Sequence, residues 1–257
     1  MNTVPICWIC RDKANTCEHI FKKSLMKNTV GKQSYHVPFD GRNIKRIQGP
    51  DSKVIKYQPS ICAQCNNDRS SKWDKAYSLF TEDYCFNYYK ANEIDFAKIY
   101  GSNYTNGIRS LHCYFVKSLG CRIINSGVDL PDNFPNLLSS LNLSSLKISI
   151  HKNPSPILLS LLKEYPKINQ DILSKSKRVL GKGELLARLS KTQSIRNYKV
   201  QNAIWWENIG DYQVNYWLNR EADLLFGTPI EYNMPTYETT QHNLDLIEIS
   251  DYMQRIL

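Results

Sequence analysis

No long apolar run occurs in this chain. Its 257 residues are 42% hydrophobic with a mean hydropathy of −0.46, and no stretch approaches the roughly 20 apolar residues that a membrane-spanning helix requires, which excludes an α-helical span. A Gly-rich phosphate loop, a nucleophile elbow and any internal repeat are also missing, which removes the nucleotide-cradling, serine-hydrolase and solenoid classes. After Met1-Asn2-Thr3 comes no apolar signal segment, so the eight cysteines read as thiols in a reducing cytoplasm rather than as a secreted disulfide framework. The length suits one large or two modest domains and a core of useful size.

Acid is scarce where base is dense. Between Arg11 and Lys75 fourteen Lys or Arg stand against six Asp or Glu, and between Lys147 and Lys199 twelve against three. From Glu221 to the end, seven acids face the single base Arg255. The net charge of +9 and a pI near 9.0 point to a polyanionic partner. The plainer interpretation of any one basic run, such as Lys175-Ser176-Lys177-Arg178, is a solvated helix face.

Four of the eight cysteines are paired by spacing. Cys7/Cys10 and Cys62/Cys65 are two Cys-x-x-Cys knuckles, and four such thiolates can hold one tetrahedral zinc, closing a loop of about fifty residues. Inside that loop lies Glu18-His19, and the second knuckle runs straight into Asn66-Asn67. A carboxylate and an amide can bind a hard divalent cation, and an imidazole beside them can take a proton from water. The constellation is therefore a candidate for metal-assisted phosphodiester hydrolysis. Without the Glu-His dipeptide, the same knuckles would describe a purely structural zinc ribbon. Cys17, Cys85, Cys113 and Cys121 lack paired spacing and read as buried free thiols. His36, His112, His151 and His242 read as packed or surface residues, although His36 falls inside the catalytic stretch.

These residues resemble the HNH or ββα-metal endonucleases, in the branch whose motif sits on a zinc-bound treble clef. The match comprises the first Cys-x-x-Cys, Glu18-His19-Ile20, Cys62-Ala63-Gln64-Cys65-Asn66-Asn67, and Ser71 and Asp74 in the helix that follows, and it covers roughly residues 5–80. The resemblance implies that His19 is the general base, Glu18 a ligand of a catalytic Mg²⁺ or Mn²⁺, and Asn66 a second ligand, with Asn67 the alternative. It also implies a structural Zn²⁺ on Cys7, Cys10, Cys62 and Cys65, a nucleic-acid substrate with DNA ahead of RNA, and products carrying 5′ phosphates. Two departures stand out: Phe21-Lys22-Lys23 replaces the proline common soon after the His, and no second His appears in the helix after Cys65. A zinc module that binds nucleic acid or a partner without cleaving is the alternative from another class. Family members occur in mobile elements, restriction systems and phage defence.

The fold class expected is α+β: a zinc-bound treble-clef ββα-metal module over residues 1–80, then a helix-plus-antiparallel-sheet region over 81–257 for targeting, regulation or assembly, the place for any protein partner. Within the module, residues 17–21 should be a short strand presenting His19, with another short strand near 53–57. A helix should run over 66–80 with Trp73, Ala76, Tyr77 and Phe80 on one face. Beyond it, residues 84–99 and 109–119 read as helices, the second with Leu111, Phe115, Val116 and Leu119 on one side. Residues 185–189, 200–206 and 212–218 read as strands, with Asn208-Ile209-Gly210-Asp211 as a hairpin turn. Trp205, Trp206, Tyr212, Tyr216 and Trp217 suit a sheet core, and base stacking is the other use for them.

Overall fold

The structure, a computed structural model, describes residues 4–23, 35–38, 44–47, 49–85, 93–139, 146–152, 180–182, 186–191, 198–209, 212–218, 230–238 and 240–241. It is an α+β arrangement of helices and mainly antiparallel sheets, the first of them the two-stranded pair of β1, Tyr35–Pro38, and β2, Ile44–Ile47. Among the described residues no helix is long and apolar enough to cross a membrane.

The first knuckle is a tight turn closed by its own backbone. Ile6 bridges Lys13, the Cys7 amide donates to the Asp12 carbonyl at 2.6 Å, and the Arg11 amide donates to the Cys7 carbonyl at 2.8 Å. Closing so short a turn puts Arg11 at φ 72°, the left-handed region that a side chain ordinarily avoids. The strand expected over 17–21 is instead a set of isolated pairings. Thr16 bridges Ile61 and His19 bridges Lys56, while the Ile20 amide donates to Ile55 and the Tyr57 amide to Glu18. Its expected neighbour near 53–57 is a 3₁₀ turn over Lys53–Ile55, because the Ser52 hydroxyl caps the Val54 amide and turns the chain before pairing can extend.

The helix expected over 66–80 is present in three pieces. A π-helical segment, Gln64–Arg69, leads into helix α1, Ser71–Leu79, and a second π segment covers Phe80–Cys85. The break at Ser70 has a local cause, since its hydroxyl donates back to the Asn66 carbonyl at 2.6 Å and competes with the regular ladder. Trp73, Ala76, Tyr77 and Phe80 are all buried, as the periodicity indicated.

A single helix over 84–99 does not form. In its place stand strand β3, Glu93–Asp95, and the short helix α2, Phe96–Tyr100; residues 86–92 lie outside the described residues. β3 is recruited by a distant partner, β9, Thr236–Glu238, through Ile94 opposite Tyr237, and Asp95 caps α2 by accepting from the Lys98 amide at 2.8 Å. Long-range pairing and a cap together override the local helical pattern.

Helix α3 spans Tyr104–Asn125 and extends the expected 109–119 at both ends. Every residue from Leu111 to Cys121 is buried, so the helix is covered all round rather than on one side. It ends at Gly127, whose φ of 77° admits the left-handed turn that caps a helix.

The main sheet sits against α3. Strand β4, Leu146–Lys152, pairs antiparallel with β8, Tyr212–Leu218, which pairs with β7, Tyr198–Ile209. Two further strands, β5, Leu180–Lys182, and β6, Leu186–Lys191, flank β7, and β10, Thr240–Gln241, adds a short parallel edge to β4. The register Ile209↔Tyr212 closes the expected hairpin. Leu146, Ile148 and Ile150 face the same side as their partners Leu218, Tyr216 and Val214, and all six are buried. Tyr216 meets Phe115 of α3 edge to face at 5.4 Å, so the sheet core is its home. The side chains of Trp205, Trp206, Tyr212 and Trp217 lie outside the described residues.

One cluster of buried residues runs from Cys7 and Trp8 through Trp73, Tyr77 and α3 to Ile148 and Tyr216. Gly120 is where α3 touches the knuckle. A Cβ there would lie 2.8 Å from Cζ2 of Trp8 and 3.0 Å from Cε1 of Phe134, rings already packed edge to face at 5.4 Å. Ala is favoured over Gly inside a helix by about 1 kcal/mol, but overpacking costs roughly 1–3 kcal/mol. Gly120→Ala is therefore expected to lower the melting temperature; a higher one would show that the Trp8 ring yields freely.

Candidate metal centre and the Glu18–His19 site

The two knuckles bring Cys7, Cys10, Cys62 and Cys65 together although more than fifty residues separate them. Their four sulfurs all lie within 4.8 Å of one another, with Cys10 and Cys62 at 3.5 Å. Four sulfurs at about 2.3 Å from a tetrahedral ion would be about 3.8 Å apart, so the cluster fits a metal such as zinc. The Cys65 amide also points at the Cys62 sulfur at 3.4 Å, and this donor is the main reason the Cys62 thiol titrates below its ordinary value. Burial works the other way at its neighbours: it pushes the Cys65 thiol up to about 11 and raises Cys10 as well. A bound cation would offset that cost by taking the thiols as thiolates.

Glu18 and His19 are adjacent in sequence and diverge in space. His19 turns to the side of Lys56, Lys23 and Asp51. Burial first, and then the positive charges of Lys56 and Lys23, hold its pKa below 6.5, while Asp51 and the Pro50 backbone oppose them. The imidazole is thus neutral at physiological pH. Its Nε2 is buried with no hydrogen-bond partner among the described residues. Lys23 and Asp51 form a close ion pair at the rim.

Glu18 turns towards α3. Its Oε2 lies 3.4 Å from the ammonium of Lys117, which is 2.8 Å from Oδ1 of Asp74 and 3.3 Å from the Ser70 hydroxyl. Ser70 also donates to the second Asp74 oxygen at 3.0 Å, and Lys22 donates to the Asp74 carbonyl. Lys117 has a side chain only 1% exposed. Burial alone would lower its pKa, but Glu18 and Asp74 outweigh that and raise it, so the ammonium stays charged. A lysine from α3 therefore occupies a position framed by two carboxylates and a hydroxyl.

Asn66 is half-buried and Asn67 exposed. The Asn66 amide donates to the Cys62 carbonyl at 2.9 Å. Among the described residues no hydrogen bond links either asparagine side chain to Glu18 or His19, and the four cysteines are the one group of three or more His, Cys, Asp or Glu ligand atoms within metal-binding range. The sequence reading brought the cysteines together correctly and named Asp74, but it passed over Lys117. The signal for it was present: a single charge in Cys113-Tyr114-Phe115-Val116-Lys117-Ser118-Leu119-Gly120-Cys121, a run otherwise fit for burial.

No family model, characterised protein or solved structure matches this chain.

Proposed function

We propose that the chain is an endonuclease of HNH type that hydrolyses phosphodiester bonds, DNA ahead of RNA, with a treble-clef zinc module presenting His19 to the substrate. The observation that carries this reading is His19 itself: a neutral imidazole with an unpartnered Nε2, held by the chain that links the two knuckles and flanked by Lys23 and Lys56. A neutral ring whose buried Nε2 has no partner among the described residues can take the proton of a water that enters with the substrate, and the flanking lysines suit an anionic phosphate. Water so activated would attack phosphorus and leave a 5′ phosphate on one product.

The resemblance assigns Mg²⁺ or Mn²⁺ to Glu18 and Asn66. As arranged, these donors do not fit an open divalent site, because the cation facing Glu18 is the Lys117 ammonium. That pairing favours the second reading, a zinc module that binds nucleic acid without cutting it.

A cleavage assay on plasmid, single-stranded DNA and RNA, with and without Mg²⁺ or Mn²⁺, separates the two. His19→Ala is expected to lower the rate roughly 10²–10⁴-fold while zinc content and binding persist. The wild-type rate should fall at acid pH with a midpoint below 6.5, as the imidazole takes up its proton, and that limb should vanish in the residual rate of the variant. Equal rates in the two proteins, checked against a mock purification, would remove His19 from the chemistry.

A further inference from the structure

We propose that Lys56 is a catalytic residue of the His19 site, its ammonium holding a non-bridging oxygen of the phosphate under attack; this rests on the nuclease reading above. Backbone pairing places it there. His19 and Lys56 stand directly opposite one another in an antiparallel bridge. The Ile20 amide donates to the Ile55 carbonyl at 2.8 Å on one side of that pair, and the Tyr57 amide to the Glu18 carbonyl at 2.9 Å on the other. His19 and Lys56 therefore exchange no backbone bond themselves and form the closer kind of antiparallel pair, with Cα atoms about 4.5 Å apart and both side chains on one face. Lys56 is extended at this point, with φ −119° and ψ 140°. Glu18 lies on the opposite face, against Lys117.

On the His19 face, Asp51 is held by Lys23 in a close ion pair. Lys56 is half-buried and joins no ion pair among the described residues. Of the charges that act on the imidazole its effect is the largest, as so short a pairing requires. The two side chains select their occupant by chemistry. A neutral imidazole offers one lone pair, and an ammonium offers three donors. A carboxylate is an acceptor only, so it would satisfy Lys56 and set its lone pairs against Nε2. A phosphodiester under hydrolysis satisfies both, with an oxygen on the ammonium and its attacking water on the ring. In that step the water oxygen bonds to phosphorus as its proton passes to Nε2. The bond to the 3′ oxygen breaks, and that oxygen leaves with the electron pair and takes a proton from solvent. Lys56 forms no covalent bond and keeps its proton. Charge grows on the phosphate oxygens as water attacks, so a fixed ammonium there acts more on rate than on affinity.

The test is plasmid cleavage by wild type, Lys56→Gln, Lys56→Arg and His19→Ala in one Mg²⁺ buffer. Lys56→Gln is expected to lower the rate at saturating DNA about 10²-fold, with zinc content and melting temperature unchanged. Lys56→Arg should recover most of the loss, because the charge returns. Affinity for a short fluorescent duplex should change little, and the slope of log K against log salt should become shallower by about 0.9, one contact. Inorganic phosphate, which brings both an anion and a proton, should inhibit wild type more than acetate at equal ionic strength, and that excess should vanish in Lys56→Gln. A Lys56→Gln protein that cuts like wild type while His19→Ala does not would overturn the role of Lys56 and leave the nuclease reading standing. Acetate that inhibits as well as phosphate overturns it too, as does a Lys56→Arg protein that melts like wild type and cuts no faster than Lys56→Gln. A wild type that cuts neither plasmid nor RNA sinks the nuclease reading and this role with it.

Discussion

Purified protein is expected to carry about one zinc per chain, and Cys62→Ser to release it and unfold the residues around both knuckles. Cys62 is the sulfur with most to lose. It approaches Cys10 at 3.5 Å and accepts the Cys65 amide at 3.4 Å. A serine oxygen cannot replace a thiolate for a borderline-soft ion. Structural zinc contributes apparent binding free energies of roughly 10–16 kcal/mol, whereas whole domains are stable by about 5–15 kcal/mol. The metal term alone can therefore equal the entire stability. Disruption should also spread, because Trp8 in the first knuckle packs on Phe134 and against Gly120 of α3. Metal analysis and thermal melting provide the check. Native protein without zinc, or a Cys62→Ser variant that keeps its metal and its melting curve, would rule out the four-thiolate centre.

What could be read from the sequence was whatever one element decides alone. The knuckles announce themselves by spacing. The stripe Trp73, Ala76, Tyr77, Phe80 and the Ile209–Tyr212 hairpin are local patterns, and both recur in the fold. Strand β4 was legible and passed over: Leu146, Ile148 and Ile150 alternate cleanly with Lys147, Ser149 and His151. Other features were beyond a local reading. β3 exists because Thr236–Glu238 pairs with it across the chain. Ser70 breaks the helix through one hydroxyl contact to Asn66. The divergence of Glu18 from His19 follows from their adjacency, since successive residues of an extended segment point to opposite sides, whereas the Lys117 ammonium that α3 delivers to the Glu18 side is encoded by nothing near either residue.

Lys117→Met is expected to be the most damaging single change outside the cysteines, at about 3–5 kcal/mol, the usual cost of breaking a buried ion pair by removing one partner. Methionine roughly matches the lysine stem in volume, so the loss reports the ammonium rather than a cavity. The two acids should suffer unequally. Asp74 is 28% exposed and keeps the Ser70 hydroxyl, so it can turn part of its charge to water, while Glu18 is only 13% exposed. Adding Glu18→Gln to Lys117→Met should accordingly restore more stability than adding Asp74→Asn, a comparison that a double-mutant cycle in urea resolves. For a chain of this size each kcal/mol corresponds to roughly 2–4 °C in melting temperature, so the single variant is readable by heat as well. Divalent ions extend the test to function. If Glu18 is a metal ligand held by its ammonium, Mn²⁺ should stabilise the Lys117→Met protein more than wild type, since the site then presents two carboxylates to the ion instead of a resident cation. Equal responses would leave Glu18 as a structural partner of Lys117 and favour the zinc module that binds without cutting. A Lys117→Met protein as stable as wild type would mean that the ammonium does not hold α3 to the knuckles at all.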